Sequence, residues 1–214
     1  ETIKKLGYDP EFVNYRPDMN TFSKRLIRKM KDVYIMFAKP ETHLGRKLKY
    51  KFIKEKLNVR KLYYFYDDLS NEADKVYDVA ICGSDQIWCN YKGIVDPFYY
   101  LVFVEERKRI SYAPSIGYNK LPANTHDKFR KYVNKIRFLS IREEQGANII
   151  KSITRRDAKV VLDPSLLISK EEWLYEIKTK RKISPNENYI LLYLLGNNIE
   201  HVKYAKKLSK HTGY

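Results

Sequence analysis

Cysteine is nearly absent, with only Cys82 and Cys89 in 214 residues. Two thiols exclude a disulfide framework, and without nearby histidines they make a poor metal site, so both are expected as reduced thiols of a cytoplasmic protein. Long apolar runs are missing as well. The longest, Tyr189–Leu195, falls far short of the roughly 20 residues that a membrane-spanning helix needs. The opening Glu1-Thr2-Ile3-Lys4 has no apolar stretch behind a basic start, so no secretory signal is read there. The chemical signatures of several enzyme classes are lacking too: no Walker-type loop, no Gly-x-Gly-x-x-Gly, no Gly-x-Ser-x-Gly elbow and no His-Glu-x-x-His. His43, His126, His201 and His211 are scattered, and none has a partner that spells out a general base. What remains is globular in composition, 43% hydrophobic and 32% charged, and long enough for one large domain or two small ones.

Acidic charge is scarce, with 26 Asp and Glu against 42 Lys and Arg and a net charge of +16. The imbalance is concentrated. Between Lys24 and Lys61 stand 14 basic residues against Asp32, Glu41 and Glu55. Such a patch attracts nucleic acid, phosphorylated ligands or an anionic membrane surface. The alternative is a solvated helical surface. No zinc-finger spacing and no RNP-type aromatic motif accompanies the charge, which sets nucleic acid aside. Docking on anionic lipid, where lipid-linked saccharide acceptors are assembled, is the expectation for this stretch, placing the protein peripherally at the inner membrane face.

The pattern along the chain is α/β. Residues 1–6 read as the tail of a helix ended by Gly7, as if the fold began before Glu1. A strand over 11–15 is stopped by Pro17, and helices are expected over 21–38 and 41–57 with Pro40 between them. From residue 76 short apolar strands alternate with helices: Val76–Cys82, Arg109–Ala113, Phe138–Ile141, Lys159–Leu162 and Tyr189–Leu195, with helices over 123–136, 143–153, 170–178 and 199–211. Strands too apolar to expose a face predict an open, mostly parallel sheet with helices on both sides. The expected division is a domain over 1–177, a polar and basic linker over 178–188, and the start of a second α/β domain over 189–214.

In such sheets ligands gather outside the carboxyl ends of the strands, and four loops there carry candidate chemistry. After the first strand come Gly83, Ser84, Asp85, Gln86 and Trp88: a tight turn, groups for an anion or sugar hydroxyls, and an indole to stack on a sugar ring. The alternative is an ordinary turn with an Asp cap and a core Trp. Tyr112, Ser115 and Gly117 follow the second strand, where small residues allow a ligand close approach or simply make a proline-defined turn. Arg142 stands at the mouth of the third strand just before a helix, its planar fork suited to carboxylate or phosphate. Alternatively it pairs with Glu143, Glu144 or Asp163. The fourth loop, Leu162-Asp163-Pro164-Ser165, is read as structural, with Asp163 bonding backbone amides.

Taken in order these loops are specific. Tyr77-Asp78-Val79-Ala80-Ile81-Cys82-Gly83-Ser84-Asp85-Gln86-Ile87-Trp88, Ile110-Ser111-Tyr112-Ala113-Pro114-Ser115-Ile116-Gly117, Ser140-Ile141-Arg142-Glu143-Glu144-Gln145-Gly146 and Leu162-Asp163-Pro164-Ser165 resemble the polysaccharide pyruvyl transferase family. Where members show Asn directly after the Trp, this chain has Cys89 and then Asn90. The resemblance implies two facing Rossmann-like domains in a GT-B plan, the second truncated here. It also implies transfer of a pyruvyl group from phosphoenolpyruvate to a sugar of a cell-surface polysaccharide or its precursor, forming a ketal without a cofactor. Arg142 would hold the donor, and Gly83, Ser84, Asp85, Gln86, Trp88, Tyr112, Ser115 and Gly117 would line the substrate site. The general acid is expected in the missing carboxyl-terminal half, leaving this chain alone inactive. A GT-B-type glycosyltransferase and a non-catalytic basic module that binds polyanions or membrane are the competing readings.

Overall fold

The computed structural model of the protein describes residues 2–90, 93–180, 188–194, 196 and 198–214, which cluster as two units, Glu1–Leu167 and Ile168–Tyr214. A first helix, α1 (Thr2–Lys5), ends where expected. Gly7 takes a φ of 85°, and the amides of Gly7 and Tyr8 bond back to Lys4 and Ile3. Strand β1 (Phe12–Tyr15) pairs in parallel with β2 (Val59–Tyr63). Between them run α2 (Phe22–Ala38) and α3 (Pro40–Lys56). Thr21 caps α2 by accepting the Lys24 amide at 3.3 Å, and Pro40 takes the first turn of α3, where its missing N–H costs nothing.

The next stretch corrects the sequence reading. Val76 is the last residue of a helix, α4 (Tyr66–Val76), rather than the first of a strand, and β3 shrinks to Ala80–Cys82. Leu69 and Ala73 sit one turn apart and are both fully buried, so the segment earns its helix by packing.

Strand β3 lies parallel to β4 (Arg109–Ser111), and β5 (Ser140–Ile141) lies parallel to β6 (Lys159–Val160). Among the described residues the structure is thus mixed α/β with three two-stranded parallel pairs in place of one continuous sheet. Between β4 and β5 a single parallel bridge joins Ile110 to Phe138. Beyond it two serines take over from the backbone. Ser111 Oγ accepts the Ser140 amide and donates to the Ser140 carbonyl, both at 2.9 Å. Ser140 Oγ donates to the Ser111 carbonyl at 2.6 Å and accepts the Ala113 amide at 3.2 Å. These hydroxyl bonds continue the link that the backbone makes through Ser111 N–H to the Phe138 carbonyl at 2.9 Å.

The strands also expose a face, against expectation. In β3 Ile81 is 44% exposed between buried Ala80 and Cys82, and in β6 both residues are exposed, Val160 by 37%. The inward face joins one core with α4, with α5 (His126–Val133) through Phe129 and Val133, and with α6 (Glu144–Thr154) through Ile149, Ile150 and Ile153. Burial pushes the Cys82 thiol up to about 12, and both cysteines are free.

In the second unit, Ser169 and Glu172 form a reciprocal capping box at the start of α7 (Lys170–Lys180). Asn198 caps α8 (Ile199–Thr212) by accepting the His201 amide at 3.2 Å. The strand expected over 189–195 is not formed at 189–194, where Leu191 and Tyr193 are 78% and 86% exposed. A strand needs a partner for its N–H and C=O groups, and none pairs with this segment among the described residues. Most of the linker expected at 178–188 lies outside the described residues.

Candidate functional site

Gly83 opens the first loop with a φ of 129°, and its peptide to Ser84 is cis. A Cβ at this position would stand 1.8 Å from the Tyr112 carbonyl oxygen, so only glycine lets the loop cross the exit of β4. The two loops are then laced by their backbones. Tyr112 donates to the Cys82 carbonyl and Ser115 to the Asp85 carbonyl, each at 2.8 Å, and Trp88 donates to the Ser115 carbonyl at 3.2 Å. Asp85 adopts a left-handed φ of 69°. The Gln86 side chain lies over Gly117, where a Cβ would come within 2.8 Å of its amide carbon.

The third and fourth loops close on the first two. The Arg142 amide donates to the Pro114 carbonyl at 3.0 Å. One oxygen of Glu143 accepts the Ser115 hydroxyl and the Ile116 amide at 2.9 Å and the Gly117 amide at 3.4 Å. Two consecutive amides and a hydroxyl aimed at one point make a carboxylate-binding nest, here filled by a carboxylate of the chain itself. Asp163 is the other fastening. Its Oδ1 accepts the Ser165 amide and hydroxyl at 2.9 and 2.7 Å, and its Oδ2 accepts Ser84 Oγ at 3.2 Å and Arg142 Nη1 at 2.9 Å. The Ser165 amide and hydroxyl, then the Arg142 guanidinium and Ser84, hold this carboxyl well below the usual carboxylate range.

The structure therefore brings Gly83, Ser84, Asp85, Gln86, Ser115, Gly117 and Arg142 into one neighbourhood at the carboxyl ends of the strands. Gly83, Asp85, Gln86 and Gly117 are exposed, Ser84, Tyr112 and Arg142 are half-buried, and Ser115 is buried. Trp88 does not join them. Its fully buried ring stacks on Tyr100 at 5.3 Å and meets Phe129 edge-on at 6.1 Å, while its Nε1 donates to the Tyr99 carbonyl at 2.9 Å. Both faces of the indole are committed to the core, so the sugar-stacking expectation gives way to the core-Trp alternative. Asn90 is likewise buried and donates to the Tyr100 hydroxyl at 3.1 Å.

Arg142 pairs with Asp163 at 2.9 Å and, more distantly, with Glu143 at 3.9 Å, the partners foreseen for it as a structural residue. Asp163 bonds the Ser165 amide as the structural reading of its loop expects, whereas the fastening of Ser84 by Asp163 and of Ser115, Ile116 and Gly117 by Glu143 was missed. The available signal was an acidic residue placed directly after Arg142, at a helix start beside a loop rich in unpaired amides. Among the described residues no group of three His, Cys, Asp or Glu side chains could hold a metal ion. Two shallow surface depressions, lined by residues around Lys61–Val76 and around Glu106–Arg137, contain none of these loops.

Chemically, the cluster holds a guanidinium paired with a carboxylate, an amide nest that Glu143 fills, and a rim of hydroxyl and amide groups. Comparison with curated proteins and with solved structures finds no match. The family model for polysaccharide pyruvyl transferase matches residues 1–214. With its four loops converging and its whole length matched, the chain belongs to the polysaccharide pyruvyl transferase family.

Proposed function

We propose that the protein transfers a pyruvyl group from phosphoenolpyruvate to a sugar of a cell-surface polysaccharide or its precursor, acting in the cytoplasm within a Rossmann-like, GT-B-type architecture. The observation that carries this reading is the Arg142–Asp163 pair at the mouth of β5, beside a nest already adapted to a carboxylate. Phosphoenolpyruvate brings a carboxylate and a phosphate. Either can replace Asp163 on the planar guanidinium fork through two parallel bonds. Held there, the donor needs protonation at its methylene carbon, which makes the adjacent carbon electrophilic. A sugar hydroxyl adds to that carbon, phosphate leaves, and a second hydroxyl closes the ketal. Asp85 and Gln86 supply hydrogen-bonding groups on the exposed rim for the acceptor, with the half-buried Ser84 beside them, whereas no side chain of the four loops is assigned as the acid.

Donor dependence tests the proposal. Purified full-length protein with a glycan acceptor pool should release phosphate from phosphoenolpyruvate and add an acid-labile carboxylate to the glycan. Release of a nucleoside diphosphate from a sugar nucleotide, with phosphoenolpyruvate untouched, would replace this reading by a glycosyltransferase.

A further inference from the structure

Helix α2 carries an apolar arc that no other described residue buries. At 3.6 residues per turn, Phe22, Leu26, Met30, Val33 and Phe37 fall on one arc, and every one of them is exposed, Phe22, Met30 and Phe37 by 73%, 65% and 75%. The opposite side makes the contacts. Arg25 donates to the Met19 carbonyl at 3.2 Å and lies 5.1 Å over the Tyr64 ring, and Arg28 pairs with Asp18 at 3.4 Å. Neither α2 nor α3 contains a buried residue. A helix of a globular domain buries its apolar stripe, and this one presents it. On the same spacing Lys29 borders the arc beside Phe22, Lys31 follows the exposed Tyr34 and Ile27 beyond its other edge, and α3 adds Lys47, Lys49, Lys51, Lys54 and Lys56.

We propose that the α2–α3 hairpin is a lipid-surface anchor, with the apolar arc of α2 entering the headgroup–acyl boundary of an anionic bilayer and the lysines of both helices meeting its phosphates. Charge and apolarity together select this occupant. A nucleic acid would answer the 14 basic residues of 24–61 and leave the arc unexplained. A second copy of the chain would cover the arc by setting one basic hairpin against another. An anionic bilayer offers apolar depth and negative charge at the same place. The proposal stands independently of the pyruvyl-transfer reading, since it concerns binding alone.

Co-sedimentation with vesicles of phosphatidylcholine, with and without phosphatidylglycerol, tests it on the full-length protein. Binding should require phosphatidylglycerol and weaken as salt rises. Lys29→Gln and Lys31→Gln should each lower low-salt partitioning by about fivefold. Phe22→Ser with Phe37→Ser should lower it at least about tenfold at every salt concentration. All four side chains lie on a helix without buried residues, so melting temperatures should stay unchanged. Failure to bind, or equal binding to neutral vesicles, would overturn the proposal. So would apolar variants that bind normally, with duplex DNA competing for the lysines, or apolar variants whose effect is to dissociate a dimer of the free protein.

Discussion

At Asp163 four donors converge on two carboxylate oxygens, and the consequence is a pH dependence. The folded state holds this carboxyl below its unfolded value of about 3.9. Its contribution to stability is therefore fully present above that value and is lost as pH falls through it toward the folded pKa. Asp163→Asn should lower stability at neutral pH, and its difference from the parent should shrink below about pH 4. Denaturant titrations at neutral and acid pH measure this, and a difference that stays constant with pH would contradict it. Gly83 is the other residue on which the loops depend. Gly83→Ala places a Cβ 1.8 Å from the Tyr112 oxygen, against backbone that cannot swing aside. A loss of at least about 2–4 kcal/mol is expected in equilibrium unfolding, and a loss below about 1 kcal/mol would show that the loop relaxes freely.

Among the elements, the serine seam between β4 and β5 sets where Arg142 stands. Ser140→Ala leaves the buried Ala113 amide and Ser111 carbonyl without their partner. The expected cost is about 1–3 kcal/mol, with faster hydrogen exchange at the Ala113 amide. Unchanged exchange there would mean that the backbone closes the gap itself. This seam was not legible in the sequence, because a serine in an apolar strand reads as a weak strand residue and its role depends on a second serine 29 positions away. Periodicity served better where it was strong. The helices α2, α3 and α6 lie within a residue or so of their expected limits, α2 by its apolar spacing and α3 by Pro40 at its start. It failed at α4, which follows directly on the unbroken aromatic run Tyr63–Tyr66, and at 189–194, where an apolar run has no strand to pair with among the described residues. Trp88 was open between two readings, as apolarity alone does not say which side of a loop an indole takes.

For the whole molecule, the order of four loops along the chain carried more than any loop singly. The parallel pairs explain why, as each strand delivers its loop to the same edge. Nothing in the sequence said that the apolar arc of α2 would face outward, because a helical pattern gives the arc and only packing gives its direction. The central claim concerns Arg142, which is paired with Asp163 in the structure and is proposed to exchange that partner for the donor. Arg142→Lys keeps a cation able to pair with Asp163 but loses the fork. The measurement is phosphoenolpyruvate-dependent turnover and thermal melting on that one variant of the full-length protein. The account predicts a fall of about 10²–10³ in rate with a melting shift below about 4 °C. Near-normal phosphoenolpyruvate kinetics, or a loss of activity that follows a collapse in melting temperature, would contradict it.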